Sequence, residues 1–384
     1  MRYLRQSNLL ALWPSHAQAF LLFRMYPAEE LYRESGMTTT RKTATIAVAR
    51  RLAPFCLSGA RTLLHYLHDL RAARPQVCQM EDSECVHRVR VASRRMRSFL
   101  PLFAPCLSRT VCDRWRKQLR RLTRALGEAR DIDVQIACVE HVLEQQASLE
   151  ERPGIERLLL RLQQRRHAVH EPVGQAIERF TASPLAEEME QTLMHLVYVS
   201  QASGADRPGA YVYRQIRKAV RIRLKTFQLY APYVQHPERS DELHAMRIAA
   251  KHLRYLLQAC TPFYLDALQE PARTARTFQT LLGDIHDCDV WAHDLPRFLE
   301  EESQRTLVYF GHLEPFALLV PGIVALQHNR QHYRMQRYQA FVAFWHQGQE
   351  QGIWEQLCQT LDAAVEHAEN TGTTAMAGTL IKAH

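Results

Sequence analysis

Residues 86 to 97 read VHRVRVASRRMR, and residues 243 to 254 read LHAMRIAAKHLR. Each stretch has apolar residues three or four positions apart, which is the spacing of an α-helix with one buried side. Neither stretch contains an acidic residue, and in both a histidine precedes basic residues at the same relative positions. The two stretches are therefore read as two copies of one helical motif.

A second pair of motifs supports a duplication. Residues 126 to 134 read LGEARDIDV, and residues 282 to 290 read LGDIHDCDV. The copies of the first motif are 157 residues apart and those of the second are 156 apart. Two motifs in the same order at nearly the same separation indicate an internal repeat. Between the copies, the segment SQASGADRPG at 200 to 209 is the clearest break in the helical pattern.

The composition favours a folded, all-α protein. Of 384 residues, 46% are apolar and 23% are charged, which excludes a disordered or fibrous chain. The 14 glycines and 17 prolines are too few for an all-β protein dense in turns. Basic residues exceed acidic ones by 9, and 43 of the 49 basic residues are arginine. Because no run of 18 apolar residues exists, no membrane-spanning segment is expected.

These observations predict two helical bundles that face each other. The first bundle is expected over residues 37 to 200 and the second over 210 to 368, with a linker at 201 to 209. Met37 opens a Thr-rich stretch that leads into the helical pattern, so residues 1 to 36 are expected to be an extension that is untranslated or disordered. The small, polar residues 369 to 384 are expected to form a disordered tail.

On a helical wheel, the basic positions of each motif form a row beside the apolar stripe rather than opposite it. The row spans about 80°. A solvated charged face would lie opposite the stripe and carry acidic partners one turn away. These rows therefore need an external anion or carboxylates from another helix. The first stripe is Val86, Val89, Met96, Leu100 and Phe103, and the second is Leu243, Met246, Leu253 and Leu257. The rows are His87, Arg90, Arg94 and Arg97 in the first copy, and His244, Arg247, Lys251 and Arg254 in the second.

Two further helical segments carry cations on one side. The segment from 213 to 230 contains no acidic residue, and the segment from 114 to 126 is also strongly basic. Several such helices packed in two bundles are expected to converge on one basic cavity or groove. The additional candidate residues are Arg214, Arg217 and Arg221 in the first segment, and Lys117 and Arg124 in the second.

The residues quoted above resemble the CHAD domain, a family named for a conserved histidine in an α-helical domain. The resemblance rests on V-H-x-x-R-V-x-x-R-R-x-R at 86 to 97, on L-G-x-x-R-D-x-D-V at 126 to 134 and on their second copies, and it spans about 40 to 348. It implies two four-helix bundles related by a pseudo-twofold axis around a positively charged cavity. It also implies binding of inorganic polyphosphate and association with polyphosphate granules.

Carried over to this sequence, the basic-cavity positions of the family are the two rows of histidine, arginine and lysine. The second copy departs from the pattern, because Lys251-His252 replaces an Arg-Arg pair and His286 stands where the first copy has Arg130. Polyphosphate carries about one charge per internal phosphate and offers no base to recognise, so its affinity comes from cations that displace counterions. Arginine binds phosphate oxygens in a planar fork, and lysine presents a compact charge.

Four aspartates in the second motif pair have two interpretations. A metal or acid/base cluster is one, and His286 next to an aspartate would suit a metal phosphohydrolase. The preferred interpretation is structural, with the aspartates capping helices after Gly127 or Gly283 and pairing with arginines of neighbouring helices. No cofactor and no metal ion are expected. The aspartates are Asp131, Asp133, Asp287 and Asp289.

The sequence thus predicts a cytoplasmic protein that binds polyphosphate without catalysing a reaction. It is expected to act as an adaptor or granule-associated factor, with polyphosphate-metabolising enzymes as further partners. One alternative is a nucleic-acid-binding protein that uses the same cations. Another, ranked last, is a polyphosphate-processing enzyme with His87 or His244 as phosphate acceptor. The nine cysteines include no C-x-x-C pair and are expected to be reduced, packed thiols.

Overall fold

The fold is described from a computed structural model of the chain. Its backbone is described for residues 39 to 72, 83 to 145, 147 to 202 and 208 to 381. Its side chains are described for 52 to 72, 85 to 145, 147 to 202 and 208 to 371. Every regular element in these ranges is a helix, as the sequence predicts. The expected extension at 1 to 36 lies outside the described residues.

In the part of the chain that the structure describes, seven α-helices precede the linker. The third begins after Ser108, whose hydroxyl accepts a hydrogen bond of 3.2 Å from the backbone N–H of Val111 and so caps the helix. It buries Trp115 and Leu119 on its inner side. The helices are α1 (Thr39–Ala72), α2 (Ser83–Phe99), α3 (Arg109–Ala125), α4 (Gly127–Gln145), α5 (Arg152–Ala168), α6 (His170–Thr181) and α7 (Pro184–Ala202).

Between residues 208 and 381, six α-helices follow the linker, and the fourth of them is a single turn. The predicted tail begins inside the last helix, and residues 382 to 384 lie outside the described residues, so its disorder stays a prediction. The helices are α8 (Ala210–Gln228), α9 (Ser240–Cys260), α10 (Gln269–Phe310), α11 (Glu314–Ala317), α12 (Val320–Glu350) and α13 (Ile353–Ile381).

Both predicted apolar stripes are buried. Their exposed fractions range from 0% for Met96 and Leu100 to 3% for Val86, and Leu243 in the second copy is 2% exposed. The larger hydrophobic core contains side chains from both sides of the linker. A smaller core is formed by residues of α4, α5, α10 and α12. Because α2 and α9 share the larger core, the basic rows beside their stripes are held in fixed positions.

The two copies of the second motif differ in backbone structure. In the first copy, α3 ends at Ala125 and α4 begins at Gly127, whereas in the second copy α10 continues through Gly283 without a break. The prediction that the aspartates after Gly127 and Gly283 cap helices is therefore wrong. Asp131 and Asp133 lie in the second turn of α4, and the two aspartates of the second copy lie in the middle of α10.

Helices α5 and α12 cross at two glycines. A Cβ atom added to Gly154 would lie 2.0 Å from the carbonyl oxygen of Leu319, and one added to Gly322 would lie 2.0 Å from that of Glu151. No side chain fits at such distances, so each glycine permits the close approach of the other helix. This crossing lies beside the smaller core.

The prediction that the cysteines are reduced is wrong for two of them. Cys56 on α1 and Cys106, between α2 and α3, form a disulfide with their Cα atoms 5.4 Å apart. The two cysteines are 50 residues apart and have no local sequence signature. Only the packing of α1 against the segment between α2 and α3 brings them to bonding distance. Cys112, Cys260 and Cys288 are free and buried, as the sequence predicts.

Among the described helices, none is both long enough and apolar enough to span a lipid bilayer.

Candidate functional site

Helices α2 and α9 pack against each other and bring the two basic rows together. The ammonium of Lys251 on α9 lies within electrostatic range of Arg94, Arg97 and Arg90 on α2, as well as Arg247 on its own helix. Because each helix contributes its row from beside its buried stripe, the rows meet at the edge of the core. This cationic cluster consists of Arg90, Arg94, Arg97, Arg247, Lys251 and Arg254.

The ring of Tyr255 joins the two halves of the cationic cluster. It is 1% exposed, and its centroid lies 5.5 Å from the guanidinium carbon of Arg94 and 4.9 Å from that of Arg254. Both distances suit a cation–π interaction. The Tyr255 hydroxyl is buried and has no hydrogen-bond partner among the described residues. The cluster thus contains an aromatic ring that holds one arginine from each copy.

Several nitrogen atoms of the cationic cluster are buried without partners. The Nε atoms of Arg90, Arg94, Arg247 and Arg254 make no hydrogen bond to any described residue. Buried polar groups in folded proteins are almost always hydrogen-bonded, and leaving one unpaired costs about 1–3 kcal/mol. These donors are therefore available to an anion that enters between α2 and α9.

Burial and mutual repulsion perturb the titration of the cluster. Burial and the charges of Arg247, Arg94, Arg97 and Arg90 lower the pKa of Lys251 to about 8. Burial also lowers the pKa of Arg94, and its arginine neighbours add to this effect. The protonated lysine is thus disfavoured in the free protein. A bound polyanion would remove part of the repulsion and favour the protonated form.

Carboxylates border the cationic cluster at one end only. Arg90 donates a hydrogen bond of 3.2 Å to Asp131 of α4, and Arg247 lies within electrostatic range of Asp287 of α10. Among the described residues, no carboxylate lies within ion-pair distance of the other four members, which are Arg94, Arg97, Lys251 and Arg254. The positive charge is therefore least compensated at the end of the rows distant from the histidines.

Histidines lie at the opposite end of the cationic cluster, beside Arg247. The ring of His244 lies 3.9 Å, between centroids, from the ring of His286, and its Nδ1 atom is buried without a partner among the described residues. Burial and the charges of Arg247 and Lys251 lower the pKa of His244. Burial, with the charge of His244, lowers the pKa of His286 to about 4. The lowered pKa values favour neutral rings at pH 7 in the free protein. His87 of the first copy lies half-buried on α2.

The CHAD domain model matches residues 61 to 296, which is more than half of the chain. The chain belongs to the CHAD domain family. The crystal structure of the CHAD domain from the plant Ricinus communis has a similar fold, with a TM-score of 0.52 and 22% sequence identity. The match covers 76% of this chain and 91% of the plant chain. Comparison with curated protein sequences gives no match.

The aspartates of this CHAD domain pair with arginines, as the structural interpretation predicts. Asp133 accepts a hydrogen bond of 2.6 Å from Nε of Arg166, and Asp289 accepts one of the same length from Nε of Arg334. These two pairs occupy corresponding places in the two copies, on α4 with α5 and on α10 with α12. Within the described residues, no group of three or more His, Cys, Asp or Glu side chains could hold a metal ion.

The three candidate arginines of α8 have carboxylate partners on the last helix. Arg217 and Arg221 bind the two oxygens of Asp362 at 3.2 and 2.6 Å, and Arg214 binds Glu369 at 2.7 Å. The need for counter-charge that the sequence indicates is therefore met here by another helix, whereas most of the cationic cluster lacks such partners.

Helix α3 faces the cationic cluster with Arg116, which the sequence analysis did not select, and with Arg120, one of the basic residues of the segment from 114 to 126. Arg116 and Arg120 lie within electrostatic range of Arg97, and with burial they lower its pKa. The predicted residues Lys117 and Arg124 are exposed on the same helix. The wheel identifies both flanks of the buried stripe of α3 as basic, but only the packing of α3 on α2 decides which flank meets the cluster.

Proposed function

We propose that this CHAD domain binds inorganic polyphosphate at the cationic cluster without catalysing a reaction. The observation that carries the proposal is the meeting of six cations from both motif copies, with four buried Nε atoms that lack a partner among the described residues. The family to which the chain belongs is the second support, because polyphosphate is the ligand that the family resemblance implies.

The chemistry of polyphosphate suits this cluster. Its internal phosphates each carry about one negative charge, so a chain segment neutralises several cations and releases their counterions. Guanidinium groups bind phosphate oxygens through two parallel hydrogen bonds, which would satisfy the buried Nε donors. Burial and then repulsion by neighbouring arginines lower the pKa of Lys251, so an anion between Arg94 and Lys251 removes part of an unfavourable interaction of the free protein.

Binding is favoured over catalysis by the surroundings of the histidines. A phosphate-accepting histidine needs a base or carboxylate that orients its second ring nitrogen. The Nδ1 atom of His244 has no such partner among the described residues, and its neighbour is the neutral ring of His286. The proposed role is therefore that of a cytoplasmic adaptor or granule-associated protein, which brings polyphosphate to enzymes that synthesise or degrade it.

A binding measurement with two charge variants tests this function. Long-chain polyphosphate is titrated into the full chain at about 50 and 200 mM salt. The variant R94Q/K251Q removes two cluster charges that have no carboxylate partner among the described residues, and we expect its affinity to fall at least tenfold. The control R109Q/R179Q removes two exposed arginines that are not members of the cationic cluster and should bind as the wild type does.

Two results would contradict the proposal. One is wild-type binding that is absent at low salt or insensitive to salt, and the other is equal affinity of the two variants when circular dichroism shows both to be folded. Competition with single-stranded DNA tests the nucleic-acid alternative. If DNA displaces polyphosphate at equal phosphate concentration, the cationic cluster does not select polyphosphate.

A further inference from the structure

A cavity of about 680 Å³ opens where the cationic cluster ends at Arg254. Residues of α1, α2, α9 and α10 line it, so both motif copies contribute. Its size falls within the range of pockets that bind small molecules. The first observation is its charge, because five cationic or titratable side chains line it: Arg61, His65, Arg95, Arg273 and Arg276.

No carboxylate is among the described residues that line this cavity. Arg273 binds Glu270 at 2.8 Å and His65 lies 3.6 Å from Asp69, so these two have acidic partners beside the cavity. The remaining three, Arg61, Arg95 and Arg276, have no carboxylate within ion-pair distance among the described residues. The cavity is thus an anion-binding environment.

The cavity continues the cationic cluster electrostatically. The charges of Arg95 and Arg276, after burial, lower the pKa of Arg254, so these three guanidinium groups are neighbours. Arg95 also donates a hydrogen bond of 3.3 Å to the hydroxyl of Tyr66, with its guanidinium carbon 5.6 Å from the ring centroid. An anion in the cavity would therefore lie between Arg95 and Arg276.

The second observation is the apolar wall. The ring of Tyr66 lies 5.9 Å, between centroids, from the ring of Phe99, and Pro262 also lines the cavity. An inorganic phosphate chain has no apolar surface and gains nothing from such a wall. A ligand that joins a planar ring to phosphates would use both parts, because base–aromatic stacking contributes to binding whichever base is present.

We propose that this cavity binds a nucleoside di- or triphosphate, with its base against the Tyr66 side and its phosphates between Arg95 and Arg276. Gln258 and Thr62 line the same cavity and offer hydrogen-bonding groups to a base or a ribose. The proposal concerns a site beside the cationic cluster and does not depend on polyphosphate binding.

The arrangement belongs to one copy of the repeat. At the offset of 157 residues, the counterparts of Tyr66 and Arg95 are Arg223 and His252. Arg223 lies within electrostatic range of His252, and together with burial it lowers the pKa of that histidine. Since a cation replaces the aromatic ring there, ring recognition is expected only in the cavity beside α1.

Calorimetric titration of the full chain with ATP and with inorganic tripolyphosphate, both without divalent cations, tests the proposal. The titrations are done in the R94Q/K251Q variant, so that the cationic cluster contributes little to tripolyphosphate binding. We expect ATP to bind about tenfold more tightly than tripolyphosphate, because only ATP has a ring to stack. The variant Y66L should lose about tenfold in ATP affinity and keep its tripolyphosphate affinity. The matched control Y66F retains the ring and should keep most of the ATP affinity.

The phosphate side is tested by R276Q, which should weaken both ligands. Equal affinity of the R94Q/K251Q variant for ATP and tripolyphosphate would overturn the proposal, as would an equal fall in affinity for both ligands when Y66L is added to it. A strong loss of ATP binding in R94Q/K251Q would also overturn it, because ATP would then occupy the cationic cluster. If ATP behaves as expected while long-chain polyphosphate does not bind, this site stands and the proposed function fails.

Discussion

The guanidinium of Arg94, from the first motif copy, lies 5.5 Å from the ring centroid of Tyr255, from the second copy. The interaction is not reciprocated, because the first copy has Ser98 at the position that corresponds to Tyr255. One aromatic ring therefore holds guanidinium groups from both copies, since Arg254 lies 4.9 Å from the same centroid. The duplicated sequence thus forms a site that is not symmetric in detail.

Removal of the Tyr255 hydroxyl should not destabilise the free protein. The hydroxyl is buried without a partner among the described residues, so Y255F removes an unsatisfied group and should raise the free energy of unfolding by about 1 kcal/mol. The control is Y338F, because the Tyr338 hydroxyl donates a hydrogen bond of 2.8 Å to the carbonyl oxygen of Val234. Y338F should lower the same quantity by about 1 kcal/mol in urea denaturation. An equal loss in both variants would contradict this account.

Polyphosphate binding should weaken as the pH rises through the pKa of Lys251. In the free protein this pKa is lowered to about 8, and a bound polyanion raises it, so binding takes up a proton in this range. Affinity should therefore fall between pH 7 and pH 9. The variant K251R keeps its charge over this range and should give a flatter profile in the same titration. An unchanged slope in K251R would assign the effect to another group.

Acid should destabilise the free protein in a defined window. Burial and neighbouring cations lower the pKa of His252 and of His286 to about 4, whereas an unfolded histidine titrates near 6.5. Between these values the unfolded state binds more protons, so stability is complete above about pH 6.5 and declines towards pH 4. We expect a loss of about 1 kcal/mol or more per histidine, measured by urea unfolding at pH 7 and pH 4.5. H252Q should reduce this difference, and a difference that persists in full would refute the role of His252.

Two aspartates of α4 should respond differently to neutralisation. Asp131 is 72% exposed and pairs with Arg90, so D131N should leave stability nearly unchanged and raise polyphosphate affinity about threefold. Asp133 is buried and pairs with Arg166, so D133N should lower the free energy of unfolding by about 2–4 kcal/mol and leave the affinity of the folded protein unchanged. Chemical denaturation and polyphosphate titration of both variants check this contrast. If D133N instead raised the polyphosphate affinity and left stability unchanged, Asp133 would belong to the binding site.

The glycine crossing of α5 and α12 should not tolerate a methyl group. G154A and G322A each place a Cβ atom 2.0 Å from a backbone carbonyl oxygen of the other helix, and each should cost more than about 2 kcal/mol of stability. The control is G174A on α6, where no atom lies within 4 Å of the added carbon, and which should be neutral or slightly stabilising. Thermal denaturation compares the midpoint temperatures of the three variants with that of the wild type. Stability of G154A equal to that of G174A would exclude the close crossing.

The helical class and the two basic rows follow from sequence periodicity alone. Buried residues such as Met96 and Leu253 recur at helical spacing, so a wheel places the cations beside them without tertiary information. Arginine pairing by Asp133 and Asp289 also follows from the motif, since a carboxylate among arginine-rich helices is more stable when paired.

Other features depend on long-range packing that periodicity does not encode. A wheel does not show that Arg214 meets Glu369 on the last helix, because the partners lie 155 residues apart. The continuity of α10 through Gly283 also differs from the break at Leu126, although both copies carry the same Leu-Gly pair. The disulfide of Cys56 and the cavity beside Tyr66 likewise exist only once α1 packs against α2.

The shared core has a consequence for attempts to divide the protein. Val89 of the first copy and Met246 of the second belong to one hydrophobic core, and each is at most 1% exposed. A fragment that ends near residue 200 would expose the apolar surface that α9 covers. It would also expose the basic row of α2, whose positive charges have few acidic partners among the described residues. Separately produced halves should therefore aggregate or associate with each other, and complementation of co-expressed halves would restore a protein that neither half forms alone.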